Sequence, residues 1–277
     1  MSVSGEYVFL NGSIIPAGSA AISPFDSGLL RGYAVFDLLQ TVGGVPFMLD
    51  EHLARFRESA KMLGLRVPLG NEEIEAVICE LLERNGHPEA TVRMVLTGGV
   101  SPNGMHFDPE TPTFFIVTHE LFEIPAHVYQ HGAKLLLVEH RRELPEAKTT
   151  GYLTWLKNHP RLESEGAIDL LYHNDGVVSE GATASFYVVV RGRILAPHTG
   201  VLRGTVGSRV LELAAGEFAI DHCDITLQDA LAAEEAFITS SVRGVVPVVR
   251  IDDHAIGDGR VGPVVTRLME MFKTACF

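Results

Sequence analysis

Apolar and polar positions fall into two textures along the chain of 277 residues. Near the start, apolar residues at 7–10 and 13–15 flank Asn11-Gly12, a dipeptide that tolerates the positive φ of a tight turn, and so predict a hairpin. Residues 33–41 and 45–48 flank Gly43-Gly44 in the same manner. Asp50 then reads as the N-cap of a helix with Leu53, Phe56, Ala60 and Leu63 on one face, and residues 71–84 repeat that spacing up to Gly86, placed as a stop. Apolar-rich strands follow at 90–97 and 113–117, which gives two helices on an antiparallel sheet. Between His119 and His131 the periodicity fails around Pro125. Beyond it, strands at 134–139, 168–172, 185–190, 235–239 and 245–251 alternate with helices at 152–163, 205–214, 227–232 and 261–272. The pattern predicts an α+β fold with an N-terminal domain over 1–120, a linker over 121–131 and a larger C-terminal domain over 132–277.

Composition narrows the partners. Hydrophobic residues at 46% and charged ones at 21% supply a packed core and exclude a disordered chain. Acidic residues outnumber basic ones by 35 to 22, and the net charge of −13 repels phosphate backbones and anionic lipid. Neither nucleic acid nor membrane is therefore expected as a partner, although a local pocket for a small anion is allowed. Cys79, Cys223 and Cys276 are far apart and form no Cys-x-x-Cys pair, which fits a reducing cytoplasm better than a disulfide framework or zinc knuckle. The opening MSVSGEYVFLNGSII has no basic segment followed by an apolar run, and no stretch reaches the roughly 20 apolar residues of a membrane helix.

Twelve histidines are scattered without an H-E-x-x-H or E-x-x-H spacing, so no metal site is expected. Neither a G-x-S-x-G elbow nor a G-x-x-x-x-G-K-[ST] loop occurs, and no G-x-G-x-x-G follows a strand. Lysine is scarce, and Lys61, Lys134, Lys157 and Lys273 occupy helices or a strand start where solvation suffices. Lys148 differs. It lies in an irregular junction over 141–152 between a strand and a helix, a place where functional side chains sit on rigid supports. Gly204-Thr205-Val206-Gly207-Ser208 precedes an apolar-periodic helix whose first N–H groups favour an anion. Thr239-Ser240-Ser241 ends a strand with three hydroxyls, and Arg55 beside Phe56 puts a charge near a core, where it needs an anionic partner.

These pieces converge on pyridoxal 5′-phosphate. That cofactor needs a lysine for a Schiff base, an arginine with hydroxyl or N–H donors for its phosphate, an acid opposite the pyridine nitrogen and a phenol near O3′. Lys148, Arg55 with the 204–206 and 240–241 segments, Glu180 and Tyr152 fill those slots. The segments Gly32-Tyr33-Ala34-Val35-Phe36-Asp37, His52-Leu53-Ala54-Arg55-Phe56-Arg57-Glu58-Ser59-Ala60, Lys148-Thr149-Thr150-Gly151-Tyr152-Leu153, Ser179-Glu180-Gly181 and Glu234-Glu235-Ala236-Phe237-Ile238-Thr239-Ser240-Ser241 then stand in a familiar order and spacing. Over almost its whole length the chain resembles the fold-type IV, class IV pyridoxal-phosphate aminotransferases, which include branched-chain aminotransferases, D-amino-acid transaminases and 4-amino-4-deoxychorismate lyase. The resemblance implies a two-domain enzyme with the cofactor between its domains and Lys148 as the Schiff-base lysine. It further implies that Arg55, the N–H groups of Thr205 and Val206, and Ser240 and Ser241 hold the phosphate, that Glu180 faces the pyridine nitrogen, and that Tyr152 lies near O3′. Two positions depart from the family pattern: Gly204-Thr205-Val206 stands where many relatives read Gly-Ile-Thr, and Ser185 where Asn is common.

The resemblance also implies a homodimer in which Arg31 reaches the neighbouring subunit's site, and substrates that are an amino acid and a keto acid such as 2-oxoglutarate or pyruvate. Substrate contacts are expected from Arg31, Tyr33, Phe36 and Arg93. The segments 30–33, 92–102 and 142–148 look most like a less typical group of D-amino-acid transaminases, whose carboxylate-binding arginines match Arg31 and Arg93. Gly98 stands where the better-known D-specific enzymes carry an arginine, and Thr183 where a third arginine of the atypical group is expected. A D-amino acid is expected ahead of a branched-chain L-amino acid. The lyase stays open because no motif separates it from a transaminase, and a non-catalytic pyridoxal-phosphate-binding protein is least favoured because every chemical slot is filled.

Overall fold

Asn11 at φ 46° and Gly12 at φ 94° turn β1 (Tyr7–Leu10) into β2 (Ser13–Pro16), the hairpin that the dipeptide predicts. In the computed structural model, which describes residues 6–276, the next elements are α1 (Ser27–Arg31), β3 (Ala34–Val42), β4 (Val45–Pro46), α2 (Leu49–Met62), α3 (Asn71–Asn85), β5 (Ala90–Thr97) and β6 (Thr113–Glu120). Residues 1–5, on which part of the no-leader expectation rests, and position 277 of the expected C-terminal domain lie outside the described residues. Among the described residues, β1 to β6 form a six-stranded sheet in the order β2-β1-β6-β5-β3-β4, antiparallel throughout.

Strand alternation builds the core. Val35 and Leu39 of β3, Val92, Met94 and Leu96 of β5, and Phe114 and Ile116 of β6 face Leu53, Phe56 and Ala60 of α2 and Ile74, Ile78 and Leu81 of α3. Each buried side chain of this size contributes about 1.5–3 kcal/mol. The same period of two puts Asp37 on the helix-facing side of β3 and Phe36 on the other. Asp50 is not the N-cap of α2. That place belongs to Met48 at φ 54°, and Asp50 with Glu51 sits in the first turn, where acids also favour the positive end of the helix dipole. Gly86 at φ 66° ends α3 as its position suggests.

A short helix escaped the sequence pattern because five residues show no periodicity. The N-cap of α1 is Asp26, whose Oδ1 accepts the Gly28 N–H at 2.7 Å and whose Oδ2 accepts the hydroxyls of Thr97 at 3.0 Å and Thr113 at 2.6 Å. One buried carboxylate thus ties α1 to β5 and β6.

Contacts divide the chain into two units, one holding the chain up to Phe122 with Ala147–Gly151, the other Glu123–Glu146 and Tyr152–Phe277. The inserted segment runs along β3. Phe36 N–H donates to the Lys148 carbonyl at 2.9 Å, Thr150 N–H donates to the Ala34 carbonyl at 3.2 Å, and Lys148 N–H donates to Ser59 Oγ at 3.0 Å. Within 121–131, expected as a linker, lies the helix α4 (Ala126–His131), with Pro125 at its N-cap and Val128 in the core of the second unit.

The second unit adds β7 (Ala133–Glu139), α5 (Leu153–Glu165), β8 (Asp169–Asn174), β9 (Val177–Gly181), β10 (Ser185–Val190), β11 (Arg193–Ala196), α6 (Thr205–Ala214), β12 (Ile220–His222), β13 (Ile225–Thr226), α7 (Leu227–Leu231), β14 (Glu235–Ser240), β15 (Gly244–Ile251), β16 (His254–Ala255) and α8 (Pro263–Cys276). Among the described residues its sheet runs β12-β11-β10-β14-β15-β7-β8-β9-β13, with β16 on β15, and the pairs β11/β12, β15/β7 and β7/β8 are parallel. No helix among the described residues is long and apolar enough to cross a membrane.

Replacing Asp26 with Ala strips three donors of their buried acceptor. We expect a loss of about 2 kcal/mol or more, read as a lower urea midpoint with an unchanged slope.

Candidate active site

In the first unit the geometry is set by β3. Asp37, fully buried between Val35 and Leu39, accepts Arg55 Nε on Oδ2 and Arg55 Nη2 on Oδ1, both at 2.8 Å, while His52 Nδ1 lies 2.7 Å from Oδ1. Burial raises the proton affinity of Asp37, but the Arg55 guanidinium and His52 outweigh it and hold the carboxyl below the ordinary carboxylate range. Burial pushes His52 below the usual imidazole range against the pull of Asp37, and the charges of Arg55 and Lys148 add to the depression. The anionic partner that Arg55 requires is therefore Asp37, and the bidentate grip fixes the plane of the guanidinium.

The opposite face of β3 carries Phe36. Lys148 Nζ lies 4.7 Å and the Arg93 guanidinium 5.1 Å from the centroid of its ring. Arg93 reaches the ring because β5 pairs it with Leu38, diagonal to Phe36 on the same face. Tyr33 is not brought to that group: its hydroxyl donates to the Leu63 carbonyl beyond α2, and its ring packs on Phe107 at 4.9 Å. Arg31 is exposed at the end of α1, with Nε donating to the Gly104 carbonyl at 3.1 Å. At Gly98 a Cβ would meet Ser27 Oγ at 2.6 Å and Tyr33 Cδ1 at 2.9 Å, so the arginine of the better-known D-specific pattern would require both side chains to move.

The second unit carries the other expected residues. Pairing of β8 with β9 shifts between Leu171↔Gly181 and His173↔Val178, so Ser179 and Glu180 together oppose Tyr172. This bulge re-aims Glu180, which is 6% exposed. Its Oε1 accepts Arg142 Nε at 2.7 Å and its Oε2 accepts the Leu202 N–H at 3.1 Å. Tyr152 stands at the N-cap of α5, and burial, then the charge of Asp169, then Tyr152 push the Tyr172 phenol well above the ordinary range. Glu180, Leu202, Gly204 and Ser185 line a cavity of about 1000 Å³.

The start of α6 has the features of an anion cradle. The first N–H groups of a helix have no acceptor within it, and α6 begins on Gly204, which has no side chain to cap them. The backbone is pressed against the sheet: a Cβ on Gly204 would meet Ser185 Oγ at 2.5 Å, and one on Gly207 would meet the Tyr187 hydroxyl at 2.1 Å and Thr239 Oγ1 at 2.9 Å. Thr239 Oγ1 is buried with no well-formed hydrogen bond, beside the Tyr187 phenol. Thr205 and Val206 open the helix, and Ser240 and Ser241 follow Thr239 where β14 ends. A helix start without a cap, an orphaned hydroxyl and two serines suit a phosphate ester, and a buried carboxylate suits a pyridine N–H, so the donor set fits pyridoxal 5′-phosphate. Ser240 Oγ also accepts Arg243 Nε at 3.1 Å, and Arg243 continues to Asp169 at 3.3 Å and to the Thr183 hydroxyl. Position 183, expected to hold an arginine, is thus met by one from 243.

Sequence reasoning missed Asp37 and His52 as partners of Arg55, Arg142 as the partner of Glu180, and Arg243. Only Asp37 left a signal, as a lone acid at the core-facing period of an apolar strand.

The family model for amino-transferase class IV matches residues 34–251. A protein of Methanocaldococcus jannaschii named putative branched-chain-amino-acid aminotransferase is 32% identical over 96% of this chain and 95% of its own length. The D-alanine aminotransferase of Bacillus licheniformis is 26% identical over 93% of this chain and 92% of its own. The crystal structure of the T.th. branched-chain amino acid aminotransferase with pyridoxamine 5′-phosphate matches with a TM-score of 0.88 at 26% identity, covering 99% of this chain and 95% of that one. The α+β, fold-type IV architecture expected from the sequence is the fold of these proteins.

Removing the charge of Asp37 strands Arg55. Asp37→Asn should cost about 3–5 kcal/mol at neutral pH. The folded carboxyl titrates below its unfolded value of about 3.9, so the contribution is complete above that pH and is lost as the pH falls through the folded value. Urea unfolding of both proteins should therefore show a gap that is constant near neutrality and narrows below about pH 4.

Proposed function

The chain belongs to the class IV aminotransferases, enzymes that work through pyridoxal 5′-phosphate, and on that premise we propose that it moves an amino group between a D-amino acid and a keto acid such as 2-oxoglutarate or pyruvate. The observation that carries this reading is the sharing of the Phe36 ring by Lys148 Nζ and the Arg93 guanidinium, a reacting amine with a carboxylate anchor beside it. Two guanidiniums, Arg31 and Arg93, favour a substrate recognised by its carboxylates. The D configuration rests on the likeness of these two positions to the atypical D-amino-acid transaminases.

When bound, the cofactor supplies an electron sink for the charge that develops at the substrate Cα. Lys148 Nζ would hold the cofactor and, as the base, would move a proton between the substrate Cα and C4′. Arg55, oriented by Asp37, binds the phosphate together with the N–H groups of Thr205 and Val206 and the hydroxyls of Ser240 and Ser241. Glu180 accepts the pyridine N–H, Tyr152 hydrogen-bonds O3′, and Phe36 walls the substrate. The chain acts as a homodimer in a reducing cytoplasm, with Arg31 contributed across the interface. Leu29 at 69% and Met105 at 74% exposure, with Phe25, Leu30 and Val100, supply an apolar surface beside Arg31 for that contact.

A second reading, a branched-chain L-amino-acid aminotransferase, is favoured by the identity to the Methanocaldococcus jannaschii protein. Single-turnover reactions of the holoenzyme with D- and L-alanine, glutamate and leucine, followed by the visible band of the bound cofactor, separate the two. D-alanine and D-glutamate should convert, and Arg93→Ala should raise the half-saturating concentration about 10-fold or more, as loss of a charge-assisted contact does. Conversion of L-leucine alone would leave the second reading, and pyruvate release from aminodeoxychorismate without amino transfer would leave the lyase.

A further inference from the structure

Glu180 does not stand alone on its bulge. Arg142, in the segment after β7, contacts Oε1 through Nε at 2.7 Å and Nη2 at 2.6 Å, and the same Nη2 donates to the Pro145 carbonyl. The other oxygen takes the Leu202 N–H at 3.1 Å. Both partners are nearly buried, Arg142 at 17% and Glu180 at 8% side-chain exposure. A glutamate carboxyl turns about a broad terminal torsion, so an unsupported one samples many orientations. Here each oxygen is held by a donor from a different segment, and the guanidinium is itself anchored to Pro145.

We infer that Arg142 is a positioning residue for the cofactor: it fixes the plane of the Glu180 carboxylate so that one lone pair remains directed at the pyridine nitrogen. The inference rests on the proposed role of Glu180. Stability alone is a poor reason for the pair, since a buried ion pair is often no more stabilising than well-packed apolar residues. The fork of Arg142 sets direction as well as charge, which a lysine could not do.

The experiment uses two measurements on each protein: the dissociation constant of pyridoxal 5′-phosphate from the apo chain by equilibrium dialysis, and kcat against KM for the amino-acid half-reaction. The variants are Arg142→Gln, Arg142→Lys, Glu180→Gln and the double variant Arg142→Gln/Glu180→Gln. Arg142→Gln should weaken cofactor binding about 10-fold and lower kcat with little change in KM, and the double variant should be no weaker than Glu180→Gln alone, the non-additivity of residues acting as one unit. Arg142→Lys, which keeps the charge and guards against a folding failure of the glutamine variant, should recover only part of the loss. Additive losses, or wild-type binding in Arg142→Gln or Arg142→Lys, would overturn the inference while leaving Glu180 in place. Wild-type binding and kcat in Glu180→Gln would overturn the role of Glu180 itself and this inference with it.

Discussion

Asp37 has no exposed surface and sits in the layer where β3 meets α2, flanked by Val35 and Leu39. An isolated carboxylate there would cost several kcal/mol, and it is tolerable only because Arg55 and His52 close on it from one turn of α2. That requirement fixes the rotation of α2 about its axis and the register of α2 on the strand. Ser59, farther along α2, then receives the Lys148 N–H, while β3 itself pairs with the lysine-bearing segment through Phe36 and Ala34. The Lys148 segment, Arg55 and Phe36 are in this way fixed by one strand.

The second unit reaches a comparable result with backbone. Glycine at 204 and 207 lets the start of α6 come down on Ser185, Tyr187 and Thr239, closer than any side chain would permit. The bulge opposite Tyr172 turns Glu180 away from the regular alternation of β9. Strand, helix start and bulge are each ordinary elements, and Glu180 and the start of α6 stand where their regular pattern is broken.

Those breaks mark the limit of what the chain shows on its own. Long elements with a clear period were legible: residues 185–190, 205–214 and 90–97 form β10, α6 and β5 as the pattern predicts. The short elements α1, α4 and β13 were not, because so short a segment carries no period. Lys148 stood out through the rarity of lysine, and Arg55 through a charge beside Phe56. Arg142 and Arg243 left no mark, since their partners Glu180 and Asp169 are distant in sequence and their pairing depends on tertiary structure. The linker expectation at 121–131 followed Pro125, which the structure uses to start a helix rather than to prevent one.

The central claim is that Lys148 is the lysine that carries the cofactor. Reduction of the holoenzyme with borohydride, followed by proteolysis and mass spectrometry, locates the attached phosphopyridoxyl group directly. The account predicts a single modified peptide, with the group on Lys148. Modification of Lys61, Lys134, Lys157 or Lys273 in its place, or no modified peptide from protein that has lost its visible band on reduction, would contradict it.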